Sequence, residues 1–237
     1  MKTLSIIIPT FNEEKTVKIL LEKVNNVKLP SKITKEIIVI DDHSNDATAR
    51  ILKSIKNIEF KYILQSKNLG KGIAVRVGIS RAKGDFIIIQ DADLEYNPQD
   101  YSKLMQPILN EGAEVVYGNR FENYPLRIWG KNQTVLPFHW ISNIILAAMT
   151  NILYGSNLRD METCYKLFTK KALNSLNLKS KRFEIEPEIT AKILKKGYKI
   201  YEVPIKVSPR TYEEGKKIGW KDGIIAVWTL IKYRFVD

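Results

Sequence analysis

The fold is decided by the stretch Asp85-Phe86-Ile87-Ile88-Ile89-Gln90-Asp91-Ala92-Asp93-Leu94. Its apolar run, residues 86–89, is too short for a typical helix and rich in β-branched side chains, which predicts a buried strand. The run is followed by Asp91 and Asp93, and Mg²⁺ and Mn²⁺ prefer such carboxylate oxygens. Ligands of open α/β sheets bind outside the carboxyl ends of the strands. The pair therefore indicates a metal site, and the alternative is a loop with two solvated acids.

Three similar short apolar runs precede this strand, at residues 4–8, 36–40 and 60–64. Segments with helical spacing of apolar residues separate them; the first, residues 13–26, places Val17, Leu20, Leu21 and Val24 on one face. Strands that alternate with helices in this way predict a parallel, doubly wound sheet.

Polar or glycine-rich residues follow each of these strands. Glu13 follows the first strand, Asp41 and Asp42 follow the second, and Gly70-Lys71-Gly72 opens the helix after the third. Their recurrence at one edge of the sheet predicts a nucleotide site, with glycine backbone N–H groups close to phosphate at a helix N-terminus. Ordinary turn chemistry is the alternative for the glycines, because the loop is neither Gly-x-Gly-x-x-Gly nor a Walker loop.

The second half of the chain predicts further helices and strands. Residues 132–158 contain no Asp, Glu, Lys or Arg, and residues 137–154 suit a helix that is either buried in the core or placed in a membrane interface. Residues 209–217 predict a mobile loop of unpaired basic side chains, which we expect to become ordered when a nucleotide ligand binds. Residues 220–235 predict an amphipathic helix with Trp and basic side chains, which suits either the core or a membrane surface.

Composition limits the classes of protein. With 237 residues, 44% hydrophobic and 27% charged, the chain can form a sizeable core. The single Cys164 excludes an intramolecular disulfide framework, and the N-terminal apolar run is too short for a signal peptide. The net charge of +12 favours polyanionic partners: nucleic acid, anionic membrane or phosphorylated substrates. We expect a peripheral protein at the cytoplasmic face of a membrane.

Eight motifs together resemble a known family. They are, in chain order, Ile8-Pro9-Thr10-Phe11-Asn12-Glu13, Asp41-Asp42-His43-Ser44-Asn45-Asp46, Asn68-Leu69-Gly70-Lys71-Gly72, Asp91-Ala92-Asp93-Leu94, Gly118-Asn119-Arg120-Phe121, Asp160-Met161-Glu162-Thr163-Cys164-Tyr165-Lys166, Phe183-Glu184-Ile185-Glu186-Pro187-Glu188 and Arg210-Thr211-Tyr212-Glu213-Glu214-Gly215-Lys216-Lys217. The sequence is similar to family 2 glycosyltransferases, in the branch of the dolichyl- and polyprenyl-phosphate sugar synthases.

The resemblance implies a GT-A-type, Rossmann-like fold: a mostly parallel sheet flanked by helices, with a C-terminal amphipathic helix. It implies one domain over residues 1–237, with about 1–120 for the nucleotide sugar and about 121–237 for the acceptor. The implied activity is inverting transfer of a hexose from a GDP-mannose- or UDP-glucose-type donor to polyprenyl or dolichyl phosphate, with Mg²⁺ or Mn²⁺. The alternative is a family 2 enzyme that acts on a saccharide hydroxyl in cell-surface polysaccharide synthesis.

The same resemblance implies roles for individual residues. Nucleotide-sugar-binding residues would be Pro9, Phe11, Glu13, Asp41, Asp42, Gly70, Lys71, Asp91, Asp93, Arg210, Lys216 and Lys217, with the metal on Asp91 and Asp93. Arg120 would meet the acceptor phosphate. The chain departs from the family pattern at His43, where Gly is usual. It also lacks a second acceptor-side Arg, so His139, Arg127 or Lys131 would substitute.

The acceptor decides which chemistry is needed. A lipid phosphate is already ionised near neutral pH, so basic residues need only hold it in line with the anomeric carbon. A hydroxyl acceptor needs a carboxylate base, and Asp160 lies where related enzymes place one. Three other classes stay open: a nucleotidyltransferase, a nucleic-acid-binding module and an inactive membrane-bound scaffold. The last two are disfavoured by the missing nucleic-acid motif and by the intact acidic pair, respectively.

Overall fold

The computed structural model describes residues 1–123, 126, 134, 137–211, 213 and 215–236. In this part of the chain seven strands form one sheet, in the order β3-β2-β1-β4-β6-β5-β7. The strands are β1 (Lys2–Thr10), β2 (Ile33–Asp41), β3 (Lys61–Leu64), β4 (Phe86–Ile89), β5 (Val115–Asn119), β6 (Lys166–Thr169) and β7 (Ile200–Pro204). All pairs are parallel except those of β6, which is antiparallel to β4 and β5. The predicted mostly parallel α/β sheet is confirmed.

Helices flank this sheet. They are α1 (Val17–Asn26), α2 (Thr48–Ser54), α3 (Lys71–Arg81), α4 (Tyr101–Asn110), α5 (Pro137–Tyr154), α6 (Lys170–Asn174), α7 (Ile185–Lys195) and α8 (Trp220–Phe235). The helix predicted to begin at Glu13 begins instead at Val17. The backbone N–H groups of Glu13 and Glu14 donate to the side chains of Thr48 and Asp46, so this segment is a loop that joins the ends of β1 and β2.

The strand order places a topological switch point beside the acidic pair. The chain adds β2 and β3 on one side of β1 and then places β4 on its other side, so the loops after β1 and β4 diverge. In register, Ile7 of β1 lies beside Ile89 of β4, two residues before Asp91. Ligands of doubly wound sheets bind at this crevice. The fold thus positions the carboxyl ends of β1 and β4 as the walls of a site.

Close packing between α3 and β1 fixes a third wall. A Cβ atom at Gly78 of α3 would lie 2.3 Å from Ile7 Cγ2, a distance that real side chains do not adopt. Glycine at this position lets the helix backbone rest directly on the buried strand. The N-terminus of α3, with Gly70 and Lys71 at its start, is thereby held at the carboxyl edge of the sheet.

The antiparallel strand β6 brings a distant segment to the same edge. Leu167 of β6 pairs with Ile88 of β4, so the residues before β6 run alongside the carboxyl end of β4. Cys164 Sγ lies 3.7 Å from the carbonyl oxygen of Ile89. A purely parallel sheet would place this segment at the opposite edge.

Helices α5 and α8 pack against each other and against α7, but some of their apolar side chains remain exposed to solvent. The buried members of this second core are Leu146, Ala147, Leu158, Met161, Ala191, Ala226, Leu230 and Tyr233. Phe138, Ile152, Trp220, Trp228 and Phe235 are 64–83% exposed. Both helices have the predicted bounds, and the alternative of a fully buried core helix for residues 137–154 is wrong. Within the described residues, no helix is long and apolar enough to cross a membrane.

Candidate active site

A cavity of about 480 Å³ opens at the carboxyl edge of the sheet, between the ends of β1 and β4 and the start of α3. Its lining includes twelve of the residues predicted from the sequence. They are Pro9, Phe11, Glu13, Asp42, Gly70, Lys71, Asp91, Asp93, Arg120, Arg210, Lys216 and Lys217. The fold therefore gathers at one point side chains that are more than two hundred positions apart in the chain, such as Pro9 and Lys217.

The two acids at the end of β2, Asp41 within the strand and Asp42 just after it, have different partners. Asp41 is fully buried and accepts hydrogen bonds from Ser44 and from the Tyr62 hydroxyl, so it organises the loop and does not line the cavity. Asp42 lines the cavity and accepts from the backbone N–H groups of Leu69 and Gly70, each at 2.7 Å. Asp42 therefore fixes the loop that leads into α3.

His43 departs from the family pattern, and its backbone shows why glycine is usual there. Its φ is +61°, in the left-handed region that glycine adopts readily and that Asn, Asp and His adopt more often than other side chains do. The His43 Nδ1 atom lies 3.1 Å from the carbonyl oxygen of Gln65, a contact that glycine could not make. The contact between the His43 ring and Gln65 therefore occurs together with the left-handed backbone conformation that His43 adopts between Asp42 and Ser44.

Each member of the acidic pair faces a cation. Lys71 Nζ lies 2.7 Å from Asp91 Oδ1, and Arg210 Nη2 lies 3.2 Å from Asp93 Oδ2. Burial works against ionisation of Asp91, but the Lys71 ammonium holds its pKa below the usual value. Burial, followed by the nearby charges of Asp91 and Glu95, raises the pKa of Asp93 to about 7. The two carboxyl groups therefore differ in how readily they ionise.

A divalent cation shared with a diphosphate fits this pair. Asp91 and Asp93 line the cavity with part of each carboxylate exposed, and both already attract positive groups. In the described ranges no three His, Cys, Asp or Glu side chains are grouped to hold a metal ion by themselves. Mg²⁺ is usually bound by one or two carboxylates plus substrate phosphates, so two carboxylates suffice if the donor supplies the other oxygens.

The basic loop after Pro209 is folded over the cavity by ion pairs. Arg210 contacts Glu13 at 3.3 Å, Lys217 contacts the same carboxylate at 2.8 Å, and Lys216 contacts Glu95 at 3.0 Å. The expectation that these basic side chains are unpaired is wrong. Without these ion pairs, the Glu13 and Glu95 carboxylates would be buried without a counter-charge. Ordering of the loop on donor binding stays a prediction.

Asp160 and Arg120 form a two-pronged ion pair. The Arg120 Nε and Nη2 atoms lie 2.7 Å from Asp160 Oδ2 and Oδ1, and the Arg120 backbone N–H donates to Oδ2 at 3.0 Å. Asp160 is fully buried and lines neither this cavity nor the second, smaller cavity described below. Both Asp160 oxygens thus accept hydrogen bonds from Arg120, and this contact orients the Arg120 side chain.

A second cavity of about 110 Å³ adjoins the first. It lies between the loop after β5 and the N-terminal part of α5, and its lining includes the predicted acceptor residue His139 beside Trp140 and Asn143. Arg127 and Lys131, the other predicted acceptor residues, lie outside the described residues. Residues that line both cavities form their seam: Glu95, Arg120, Glu162, Lys216 and Ile218.

Some lining residues were not predicted as site residues. They include Glu95, Glu162, Arg182, Phe183 and Glu186. Glu186 contacts Lys71 at 3.2 Å and Lys166 at 2.6 Å, so it supports the cation that faces Asp91. The family motifs that contain Glu162 and Glu186 were visible in the sequence, but only the fold shows that these carboxylates reach the cavity.

Comparison with known proteins now assigns the family. Residues 5–176 match the model of Glycosyl transferase family 2, which is more than half of the chain. The chain belongs to glycosyl transferase family 2. This family 2 glycosyltransferase is 31% identical to a UDP-N-acetylglucosamine–dolichyl-phosphate N-acetylglucosaminyltransferase of Methanococcus voltae, over 86% of this chain and 85% of the relative.

Further similarities agree with this assignment. A low-salt glycan biosynthesis hexosyltransferase of Haloferax volcanii is 27% identical over 92% of this chain and 52% of its own length. The glucosyl-3-phosphoglycerate synthase of Mycobacterium tuberculosis, solved with Mn²⁺ and UDP-glucose, has the same fold with a TM-score of 0.73 at 19% identity. This similarity covers 100% of the present chain and 80% of that structure.

The Arg120–Asp160 pair generates a stability prediction. We expect Asp160→Leu to lower the free energy of unfolding by about 3 kcal/mol or more, because Arg120 is left buried without its counter-charge. Adding Arg120→Met to the same chain should recover most of that loss. Denaturant unfolding of the three proteins measures both effects.

The exposed pair Arg159–Glu122 is the matched control. It has a similar 3.0 Å contact, but its side chains are 68% and 45% exposed. Glu122→Ala should therefore cost less than about 1 kcal/mol. If Asp160→Leu is as mild as Glu122→Ala, Asp160 is not committed to Arg120, and its role as a general base regains support.

Proposed function

We propose that this glycosyltransferase transfers a hexose, with inversion at the anomeric carbon, from a nucleoside-diphosphate sugar to polyprenyl or dolichyl phosphate. The observation that carries the proposal is the position of Arg120. Its guanidinium is aimed by Asp160 and lines the seam where the large and small cavities meet. A fixed cation beside the donor cavity suits a phosphate nucleophile. The dolichyl-phosphate relative from Methanococcus voltae supports the same acceptor class.

The donor would occupy the larger cavity. Pro9, at the end of β1, and Phe11 and Glu13, which follow it, would contact the base and ribose, with Asp42 nearby on the next strand's loop. The N-terminus of α3, with the backbone N–H groups that follow Gly70, would face the phosphates. A Mg²⁺ or Mn²⁺ ion on Asp91 and Asp93, the carboxylates that fit it, would neutralise charge on the departing diphosphate.

The protein's cations would change partners when the donor binds. Arg210, Lys216 and Lys217 form ion pairs with carboxylates of the protein, and all three line the donor cavity. The donor's diphosphate offers them oxygens of higher charge density. The loop would then cover the diphosphate and exclude water from the anomeric carbon, which protects the donor from hydrolysis.

The transfer itself needs only positioning on the acceptor side. An ionised phosphate oxygen attacks the anomeric carbon while the bond from that carbon to the diphosphate oxygen breaks, and the electron pair leaves with the nucleoside diphosphate. Arg120 holds the acceptor phosphate in line with that bond. His139 lines the second cavity and would contact the acceptor beyond the seam. In this assignment residues 1 to about 120 bind mainly the donor and residues from about 121 to 237 mainly the acceptor, within one domain. Arg120 and the loop that begins near Arg210 cross this division.

An acceptor assay tests the proposal. UDP- and GDP-linked hexoses are incubated with polyprenyl phosphate, with Mg²⁺, Mn²⁺ or chelator, and the glycosylated lipid is measured. We expect product with one donor class and a divalent cation. Asp93→Asn should lower turnover at least about 100-fold, because stabilisation of the leaving group is lost.

The control variant is Asp85→Asn, at the opposite end of β4. Asp85 accepts a hydrogen bond from the Thr3 backbone, which asparagine preserves, so turnover should stay within about twofold. Efficient transfer to a saccharide hydroxyl, without any lipid product, would replace the proposed acceptor with the polysaccharide alternative.

We also propose that α5 and α8 bind the cytoplasmic face of a membrane. Trp220, Trp228 and Phe235 of α8 are 64–80% exposed, and Lys232 and Arg234 lie on the same helix. Aromatic side chains favour the interface, and each basic residue near an anionic surface contributes about 1 kcal/mol. A long lipid tail stays in the bilayer, so such contact would bring the seam to the acceptor phosphate.

Vesicle binding tests this surface. We expect salt-sensitive binding to anionic vesicles, and Trp228→Glu should weaken both binding and lipid glycosylation about tenfold while donor hydrolysis in solution is unchanged. Ile19→Glu is the control, because Ile19 is 45% exposed on α1, away from both helices. Equal loss of binding in both variants, or no binding by the unaltered protein, would contradict the membrane proposal.

A further inference from the structure

Glu162 lies at the seam and has a buried oxygen without a partner. Its side chain lines both the donor cavity and the smaller cavity next to α5. Within the described residues, Glu162 Oε1 is shielded from solvent and forms no hydrogen bond. A buried carboxyl oxygen left without a partner costs free energy, so a ligand group in the cavities is the partner that its position offers.

The charges around Glu162 are already balanced. Arg120 is paired with Asp160, and Lys166 is paired with Glu186. The remaining seam cation, Lys216, is paired with Glu95 at 3.0 Å. No cation of the seam is therefore left over for Glu162, and an ionised Glu162, counted together with Arg120 and its partner Asp160 and with Lys216 and its partner Glu95, would leave one uncompensated negative charge there. A phosphate could not approach that seam without repulsion.

Protonation of Glu162 removes this repulsion. Burial is the largest influence and raises the pKa of Glu162 to about 7; Lys166 and Arg120 partly offset it, while Glu186 and Asp160 add to it. The neutral carboxyl group has an O–H donor as well as acceptor oxygens. Beside Arg120, that donor offers a second hydrogen bond to an oxygen of the same phosphate.

We propose that Glu162 is an acceptor-binding residue that, in its neutral form, donates a hydrogen bond to the acceptor phosphate held by Arg120. This inference rests on the proposed function and specifies its acceptor subsite. It has a thermodynamic consequence. Above neutral pH, Glu162 is ionised in the free protein and protonated in the complex, so binding of a phosphate dianion takes up a proton from the buffer.

Calorimetry with two simple phosphates tests the inference. The probes are a short-chain, water-soluble isoprenyl monophosphate and methyl phosphate, titrated into the protein at pH 8 in two buffers of different ionisation enthalpy. For the unaltered protein we expect uptake of about one proton for each phosphate bound. In Glu162→Gln the amide N–H donates the same hydrogen bond without titrating. Its affinity should stay within about threefold, and its proton uptake should fall to about zero.

The controls separate this role from a structural one. Glu122→Gln, at an exposed carboxylate, should take up the proton as the unaltered protein does. Nucleoside-diphosphate binding reports whether each variant is folded. If Glu162→Gln fails to fold, Glu162→Met replaces it and should likewise lose the proton uptake. The inference is overturned if the unaltered protein binds phosphate without taking up a proton, or if the Glu162 variant takes up as many protons as the unaltered protein.

The two proposals fail in different ways. If methyl phosphate binds with Glu162-dependent proton uptake but the acceptor assay yields no glycosylated lipid, the phosphate subsite stands and the lipid acceptor is wrong. If lipid is glycosylated but proton uptake does not depend on Glu162, the lipid acceptor stands and the role of Glu162 is wrong. Failure of both phosphates to bind contradicts the subsite itself.

Discussion

The structure depends on neutralising the negative charge of several carboxylates that lie close together at the carboxyl edge of the sheet. The acids that line the donor cavity are Glu13, Asp42, Asp91, Asp93, Glu95, Glu162 and Glu186. Buried carboxylates cannot remain ionised without hydrogen bonds or counter-charges. The chain supplies cations from three places: Lys71 from the start of α3, Lys166 from β6, and the loop that begins near Arg210. This requirement draws the C-terminal loop onto residues from the first hundred.

The same requirement explains why the two halves of the chain meet in one site. The parallel strands deliver the acids, and the antiparallel β6 returns the segment of Asp160 and Glu162 to the same edge. Arg120 follows β5 and is oriented by Asp160, so in the proposed assignment the acceptor site adjoins the donor site at the seam. An ion pair that occupies both oxygens of Asp160 favours an acceptor that is already ionised over one that needs a base.

Local sequence pattern was sufficient for much of this fold. The apolar run before Asp91 predicted β4, and helical spacing predicted α5 and α8 with their observed bounds. The direction and position of β6 were not predictable, because a strand pattern does not reveal which neighbour the strand pairs with. The start of α1 was misplaced for a related reason: Glu13 is held by Thr48, a partner from another loop.

The candidate site shows the same limit. Strand ends and motifs identified Asp91, Asp93 and Arg120, since these residues lie at recognisable positions in the chain. The ion pairs of these residues could not be predicted. The basic side chains of the loop were expected to have no partners, whereas Lys216 forms an ion pair with Glu95. Glu162 was missed as a site residue because its importance comes from a seam between two cavities, which only the packed structure defines.

The central claim is that the acidic edge binds a nucleoside diphosphate together with a divalent cation. The most direct measurement is the affinity for UDP and GDP by calorimetry, with Mn²⁺ or with chelator. We expect one of the two nucleotides to bind at least about tenfold more tightly with Mn²⁺, and Asp93→Asn to abolish that difference. Equal affinity in Mn²⁺ and chelator, or an undiminished Mn²⁺ effect in Asp93→Asn, would contradict the assignment of this edge.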